Sequence, residues 1–291
     1  MKGVYFLADD AVLHWVLGML ASLRRHEPTL PVVWIPFGGP DRRLREHLDS
    51  YAVVAWSDTD DLEAWEDLGS QFFPKNLVGS RLFRKMAVFD GPFNEFVFID
   101  SDVILRTSLG WAFEALSRAG AEVAFYDEGL ADVYADPSLR QRMVEDYGAR
   151  GWNTGFWAGH RCAIRYEMAT ILTPQALLVQ PGFAPTGEQP FFNFVLDAGH
   201  VAAASLRDNS PLPARPRSLI VRRSTRVSAD APALHWAGQS RPSLAMPLVS
   251  IWLVTRIRAP RPASLAALVA MLVVRPLVGQ ARRLWSGLRT S

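Results

Sequence analysis

A chain of 291 residues with 49% hydrophobic and 21% charged residues has the profile of a folded globular protein, which excludes a disordered or fibrous one. A single cysteine, Cys162, excludes an intramolecular disulfide and leaves no partner set for a zinc site. The net charge of +2 conceals an asymmetry: from Pro213 onward thirteen arginines face one acid, Asp230, so that stretch carries +12 and residues 1–212 carry −10.

Met1-Lys2 leads directly into an apolar run, Val4–Ala8, that reads as a buried first strand ending in Asp9-Asp10. The two acids interrupt any would-be secretory signal, so a cytoplasmic location is expected. Apolar residues at helical spacing (Trp15, Leu17, Leu20, Leu23) predict a helix over His14–Arg25. Pro31–Pro36 reads as a second strand, Arg42–Leu48 as a short polar helix and Ala52–Trp56 as a third strand. A helix is expected over Phe83–Phe89, followed by a buried strand, Glu95–Ile99, that again ends in acids. Glu122–Tyr126 is a further strand, Gly151–Gly159 an active-site strand or loop, and Phe191–Leu196 a helix. Near-continuous apolar strands alternating with helices predict an α/β fold with a mainly parallel sheet covered on both faces. Ligands of such sheets collect at the carboxyl ends of the strands, so the two acid pairs are expected to share one cleft.

The second pair stands in Phe96-Val-Phe-Ile-Asp100-Ser101-Asp102. Two carboxylates two residues apart, just past a buried strand, suit a hard divalent cation that bridges and neutralises a diphosphate. Alone, the pair also reads as a solvated strand end or as a cap of the next helix. A haloacid-dehalogenase-type phosphatase places Asp-x-Asp after an apolar strand as well, but near the start of its core. Here an entire α/β unit with its own acid pair comes first.

Five further segments accompany the pair in a consistent order: Ala8-Asp9-Asp10; Arg81 with Lys85; Asn153-Thr-Gly155-Phe156; Glu188-Gln189; and His235-Trp-Ala-Gly238-Gln-Ser-Arg241-Pro242. Over about residues 3–242 the sequence resembles the GT-A glycosyltransferases, most closely the glycogenin-like and bacterial lipopolysaccharide galactosyl- and glucosyltransferases of family 8. The resemblance implies a Rossmann-like GT-A catalytic domain over residues 1–242. It implies that Ala8, Asp9 and Asp10 meet the nucleoside and that Arg81 and Lys85 face the donor. Asp100, Asp102 and His235 would hold Mn²⁺ or Mg²⁺, with Ser101 between the carboxylates. Asn153, Glu188 and Gln189 would stand at the transferred sugar, and Gly238 and Arg241 at the diphosphate. The implied reaction moves a hexose from a UDP sugar to a glycan or lipid-linked acceptor, with retention. Were the stereochemistry inverted, Glu188 or Asp127 would be the candidate base. Three positions depart from the family pattern: Glu188 replaces an aspartate, Arg241 a lysine and Ser243 a tryptophan.

Some of these residues carry a plainer reading. Asp10 also reads as a cap of the helix that begins near His14, and His235, in an apolar run, also reads as a satisfied core histidine. Trp152 and Trp157 are candidates to line an acceptor groove. The last segment, residues 243–291, is an Arg-rich apolar tail expected to be helical. Its stretches Ala245–Val254 and Ala263–Val274 are each shorter than the ~20 residues that span a bilayer. Two readings stand: an interfacial element on an anionic membrane surface at the inner face, or helices packed on the catalytic domain. No recognition motif accompanies the charge, so nucleic acid is not an expected partner. A non-catalytic membrane adaptor is another alternative, and it gives Asp100, Asp102 and His235 no task.

Overall fold

The computed structural model describes residues 1–127, 129–212, 219 and 231–235. Gly238, Arg241, Ser243 and the 243–291 tail lie outside the described residues. Nine strands are described: β1 (Lys2–Ala8), β2 (Val32–Pro36), β3 (Val53–Ala55), β4 (Glu95–Ile99), β5 (Val103–Leu105), β6 (Val123–Phe125), β7 (Phe156–His160), β8 (Ala203–Ser205) and β9 (Ala233–His235). Nine α-helices accompany them: α1 (Leu13–His26), α2 (Arg42–Leu48), α3 (Thr59–Phe72), α4 (Leu77–Arg81), α5 (Gly110–Ala119), α6 (Pro137–Tyr147), α7 (Tyr166–Val179), α8 (Gln189–Ala198) and α9 (Leu206–Asn209). The expected strand and helix positions agree with these to within a few residues, except at Phe83–Phe89, where the chain forms a 3₁₀ helix over Leu82–Phe89.

Seven strands form one sheet in the order β3-β2-β1-β4-β7-β6-β8. Every neighbouring pair is parallel except the two made by β7, which runs antiparallel between β4 and β6. The sheet is thus mixed and mainly parallel, flanked by helices.

Alternation along each strand divides the core. Tyr5, Leu7, Val33, Ile35, Phe96 and Phe98 enter one apolar cluster, which α3, α7 and α8 cover. Val4, Phe6, Ala8, Val32, Trp34, Val97 and Ile99 point the other way, into a cluster built with α1 and α5. Successive side chains of a strand take opposite faces, so burial on both sides requires the unbroken apolar runs that the sequence shows. Phe98, fully buried, stacks on Trp157 with centroids 5.7 Å apart. Truncating such a phenylalanine to alanine costs about 3–5 kcal/mol.

Helix starts follow local chemistry. Asp136 caps α6 by accepting from Leu139 N at 2.7 Å, with Pro137 in the first turn. Asn76 caps α4 through Gly79 N at 3.2 Å. Just before α8, Gly187 adopts φ +72°, a conformation that L side chains rarely take. A second, two-stranded sheet, β5 with β9, places His235 directly across from Val103.

Candidate active site

β1 and β4 are parallel neighbours, and both end in aspartates at the same edge of the sheet. The two acid pairs behave differently there. Asp9 accepts from Ala11 N at 2.8 Å and lines a cavity of about 510 Å³ with Leu7, Ala8, His14, Phe37 and Ser101. Gly39 permits that arrangement, since a Cβ there would lie 2.2 Å from Asp9 Oδ2. Asp10 is turned away from the cavity. Its carboxylate accepts from Leu44 N at 2.8 Å and Arg43 N at 3.2 Å, the first turn of α2, so it caps that helix and not the one beginning near His14.

A second cavity, also about 510 Å³, lies on the other side of the β4 carboxylates. Lys85, Asp132, Asn153, Thr154, Glu188 and Gln189 line it. Leu82, Asp100 and Asp102 belong to the walls of both, so the two cavities meet at the acidic pair.

His235 reaches this junction through the β5–β9 ladder. Its Nε2 lies 3.4 Å from Asp102 Oδ1 and 3.9 Å from Asp100 Oδ2, and one ligand atom from each of the three residues falls within 4.8 Å of the others. Gly155 makes the approach possible: a Cβ there would stand 2.1 Å from His235 Cε1 and 2.9 Å from Asp100 Oδ2. Among the described residues, the buried Asp102 Oδ1 and His235 Nδ1 have no hydrogen-bond partner. Buried polar atoms are rarely left so, and of the six such side-chain atoms among the described residues two belong to this cluster. An Asp₂His donor set with an unsatisfied carboxylate oxygen fits a divalent cation.

The charges around the cluster point the same way. Burial raises the Asp100 pKa, Lys85 pulls it down, and the like charge of Asp102 pushes it up again, with a net rise. Burial lowers the His235 pKa, but attraction to Asp102, then Asp100 and Asp127, outweighs it and the net direction is also up. A cation held between the carboxylates would relieve their mutual repulsion.

Glu188 and Gln189 open α8, where they face the second cavity. Glu188 Oε1 lies 2.7 Å from Lys85 Nζ and accepts from Thr154 Oγ1 at 2.8 Å. Burial lowers the Lys85 pKa, yet Asp100 and Glu188 more than offset it, and the ammonium stays charged. Gln189 Oε1 accepts from Asn153 Nδ2 and Thr154 N, both at 3.2 Å, while its Nε2 donates to Asp132 O at 3.1 Å. Asn193, one turn further and fully buried, fixes the Trp152 backbone by accepting from its N at 2.6 Å and donating to its O at 2.9 Å. The Asn153–Gly155 segment is thereby fastened to the first turns of α8.

Of the residues singled out in the sequence, Ala8, Asp9, Ser101, Asp100, Asp102, Lys85, Asn153, Glu188, Gln189 and His235 come together around the two cavities. Arg81 is held beside the end of β2, its Nε 3.4 Å from Glu66, which Arg84 also pairs. Asp127 is buried, its carboxylate accepting from Leu219 N at 3.0 Å, and it lines neither cavity. Trp152 and Trp157 line neither cavity among the described residues. Their rings are buried against Phe125, Trp157 because β7 sits inside the sheet with both faces covered and Trp152 because Asn193 holds its backbone there. Thr154, Asp132 and Asn193 are not singled out by the sequence, and His14, which no motif accompanies there, lines the first cavity. Thr154 carried a signal by its place inside the Asn153–Gly155 motif, whereas Asp132 and Asn193 are placed by tertiary folding alone.

No known protein-family model matches the sequence, and no curated protein sequence does either. The fold, however, has close counterparts among solved structures. The galactosyltransferase LgtC, in complex with donor and acceptor sugar analogues, superposes with a TM-score of 0.58 at 12% identity, over 90% of this chain and 98% of that one. Mouse xyloside xylosyltransferase 1 gives 0.53 at 14% identity, over 70% and 84%. The bifunctional glycosyltransferase WbbM gives 0.55 at 11% identity, over 92% of this chain and 51% of its own. The architecture is the GT-A fold of glycosyltransferases.

Proposed function

We propose that this protein is a metal-dependent glycosyltransferase that moves a hexose from a nucleoside-diphosphate sugar, UDP being the expected nucleotide, to a glycan or lipid-linked acceptor with retention of configuration. The observation that carries this reading is the meeting of two cavities at the Asp100–Asp102–His235 cluster. A nucleotide sugar has the same tripartite layout: nucleoside, charged diphosphate, sugar. The nucleoside belongs in the cavity of Ala8, Asp9 and Ser101, and the sugar in that of Asn153, Glu188 and Gln189.

When bound, Mn²⁺ or Mg²⁺ neutralises the diphosphate and makes it a better leaving group. Asp100, Asp102 and His235 are its ligands in this reading, and Gly238 and Arg241, outside the described residues, are assigned to the diphosphate. Lys85 orients Glu188 and Asp100 with one charge. Glu188 and Gln189 orient the sugar through their carboxylate and amide. The bond from the anomeric carbon to the diphosphate oxygen breaks as the acceptor oxygen bonds to that carbon, and the hydroxyl proton passes to the departing phosphate. No dedicated base is needed for that transfer, which agrees with the engagement of Glu188 by Lys85 and Thr154.

The test is thermal unfolding of the whole chain with nucleoside diphosphates and nucleotide sugars, with and without Mn²⁺, beside Asp102→Asn. A ligand at a hundredfold excess over its Kd stabilises the folded state by about 2.7 kcal/mol. Stabilisation by one nucleotide that requires metal and disappears in the variant supports the reading. If no nucleotide stabilises the protein under any metal condition while a generic phosphate ester is hydrolysed, the phosphatase alternative replaces it.

A further inference from the structure

α7 lies alongside α3. At one end Tyr166 Oη donates to Ala64 O at 3.3 Å and its ring meets Trp65 edge-on at 5.1 Å, and at the other Gln180 Nε2 donates to Phe72 O at 2.9 Å. α7 buries Ala169, Thr173 and Ala176 and turns Ile171, 75% exposed, and Leu178, 82% exposed, to the outside with Pro174. Between Met168 and Gly187 there is no Asp, Glu, Lys or Arg. A surface helix ordinarily presents charged and polar residues outward, so a charge-free face with large exposed aliphatics marks an interaction surface.

The neighbouring stretch has the opposite character. From Asp58 to Asp67, the cap and first turns of α3, the chain holds six acids and no Lys or Arg, and of the six Glu66 is paired by Arg81 and Arg84. Around the start of α3, burial together with the like charges of Asp58 and Asp60 raises the Asp61 pKa, and Asp61 and Glu167 help to raise that of Asp90, against Arg161. An apolar strip thus runs beside a negatively charged one.

We propose that the Arg-rich apolar segment 243–291 of this same chain packs across the α7–α3 face. Its stretches Ala245–Val254 and Ala263–Val274 match the aliphatic side chains of α7, and the arginines that flank them match the acids of α3. Reach is ample: 56 residues follow His235, and even a helical chain advances about 1.5 Å per residue. Charge selects this occupant over two others. A second copy would set one acidic α3 against another, and an anionic bilayer would face the same acids.

The test uses the full chain with Cys162→Ser, carrying Ile171→Cys, Leu178→Cys or, as reference, Val54→Cys, whose native side chain is 66% exposed. Far-UV circular dichroism confirms that each variant is folded, and maleimide labelling rates are compared. The expected result is labelling at positions 171 and 178 at least tenfold slower than at 54, restored toward the reference rate by Arg256→Glu, Arg258→Glu and Arg261→Glu together. Equal rates at all three positions overturn the proposal. Equal rates that become protection only on addition of phosphatidylglycerol vesicles overturn it too, and assign the face to a membrane.

Discussion

Lys85 and Glu188 form a buried ion pair, Nζ to Oε1 2.7 Å, and the same ammonium stands 3.4 Å from Asp100 Oδ1. One side chain from the 3₁₀ helix before β4 therefore couples the carboxylate that opens α8 to the first carboxylate of the candidate cation site. Both members of the pair have side chains almost wholly withdrawn from solvent.

Breaking such a pair from one side leaves an uncompensated buried charge, which costs about 3–5 kcal/mol. Lys85→Met is expected to lose stability of that size in urea unfolding, whereas Lys85→Met with Glu188→Gln recovers a substantial part of it. Transferase activity stays low in both, because the tie to Asp100 is gone in each. A Lys85→Met protein that unfolds at the wild-type urea concentration would show that the pair contributes nothing to the fold.

Gly155, immediately before β7, lies against the cluster. Gly155→Ala places a methyl group 2.1 Å from His235 Cε1, and the backbone on both sides is fixed: Asp100 N donates to Gly155 O at 2.8 Å, and Gly155 N to Asn153 Oδ1 at 3.0 Å. The imidazole has to move. Mn²⁺ affinity measured by calorimetry is expected to fall by at least tenfold while the Tm without metal drops by only a few degrees. Unchanged metal affinity would mean that His235 is not a ligand.

How far the sequence carried these conclusions varied with the locality of the signal. β1 and β4 were legible because a strand buried on both faces must be apolar throughout, and the acids just beyond it marked the ligand edge of the sheet. The order of the motifs around Asp100, Asn153, Glu188 and His235 anticipated which residues gather. What stayed hidden depends on long-range geometry. Nothing near Asn193 says that its amide will hold Trp152, 41 residues away. Trp157, a candidate groove residue by sequence, is instead core, since β7 enters the sheet between β4 and β6 and an interior strand buries its aromatics. The separate hairpin-like sheet of β5 and β9, which delivers His235, rests on three residues per strand, too short for any periodicity to show.

Away from the cavities, Asp197 accepts from Tyr134 Oη at 2.6 Å near the end of α8. Burial pushes the Asp197 pKa up to about 6, and the Tyr134 hydrogen bond lowers it in part. An unfolded aspartate titrates near ~3.9, so between about pH 4 and pH 6 the folded protein binds more protons than the unfolded chain. This residue's contribution is therefore most favourable below that window and is lost as pH rises through it. Asp197→Asn keeps an acceptor for Tyr134 without the charge. Relative to wild type, the variant is expected to gain up to about 3 kcal/mol on going from pH 4 to pH 7. A wild-type-minus-variant difference in denaturant stability that is flat across those pH values would refute the assignment.

Asp9 and Asp10 are adjacent in sequence and divided in task, which gives the sharpest separation of site from scaffold. Asp10 satisfies two backbone N–H groups at the start of α2, and losing such a cap costs about 0.5–2 kcal/mol. Asp10→Ala is thus expected to lower the Tm and leave nucleotide affinity within about twofold of wild type. Asp9 faces the cavity proposed for the nucleoside, with Gly39 pressed against its second oxygen. Asp9→Ala is expected to weaken nucleotide binding at least tenfold with a smaller effect on the Tm of the ligand-free protein, the loss of one bond to Ala11 N. Binding isotherms and melting curves on the two variants give four numbers, and the pattern is specific. Were Asp10→Ala the variant that lost nucleotide, the cavity of Ala8, Asp9 and Ser101 would not be the nucleoside site, and the donor would have to lie elsewhere along the sheet edge.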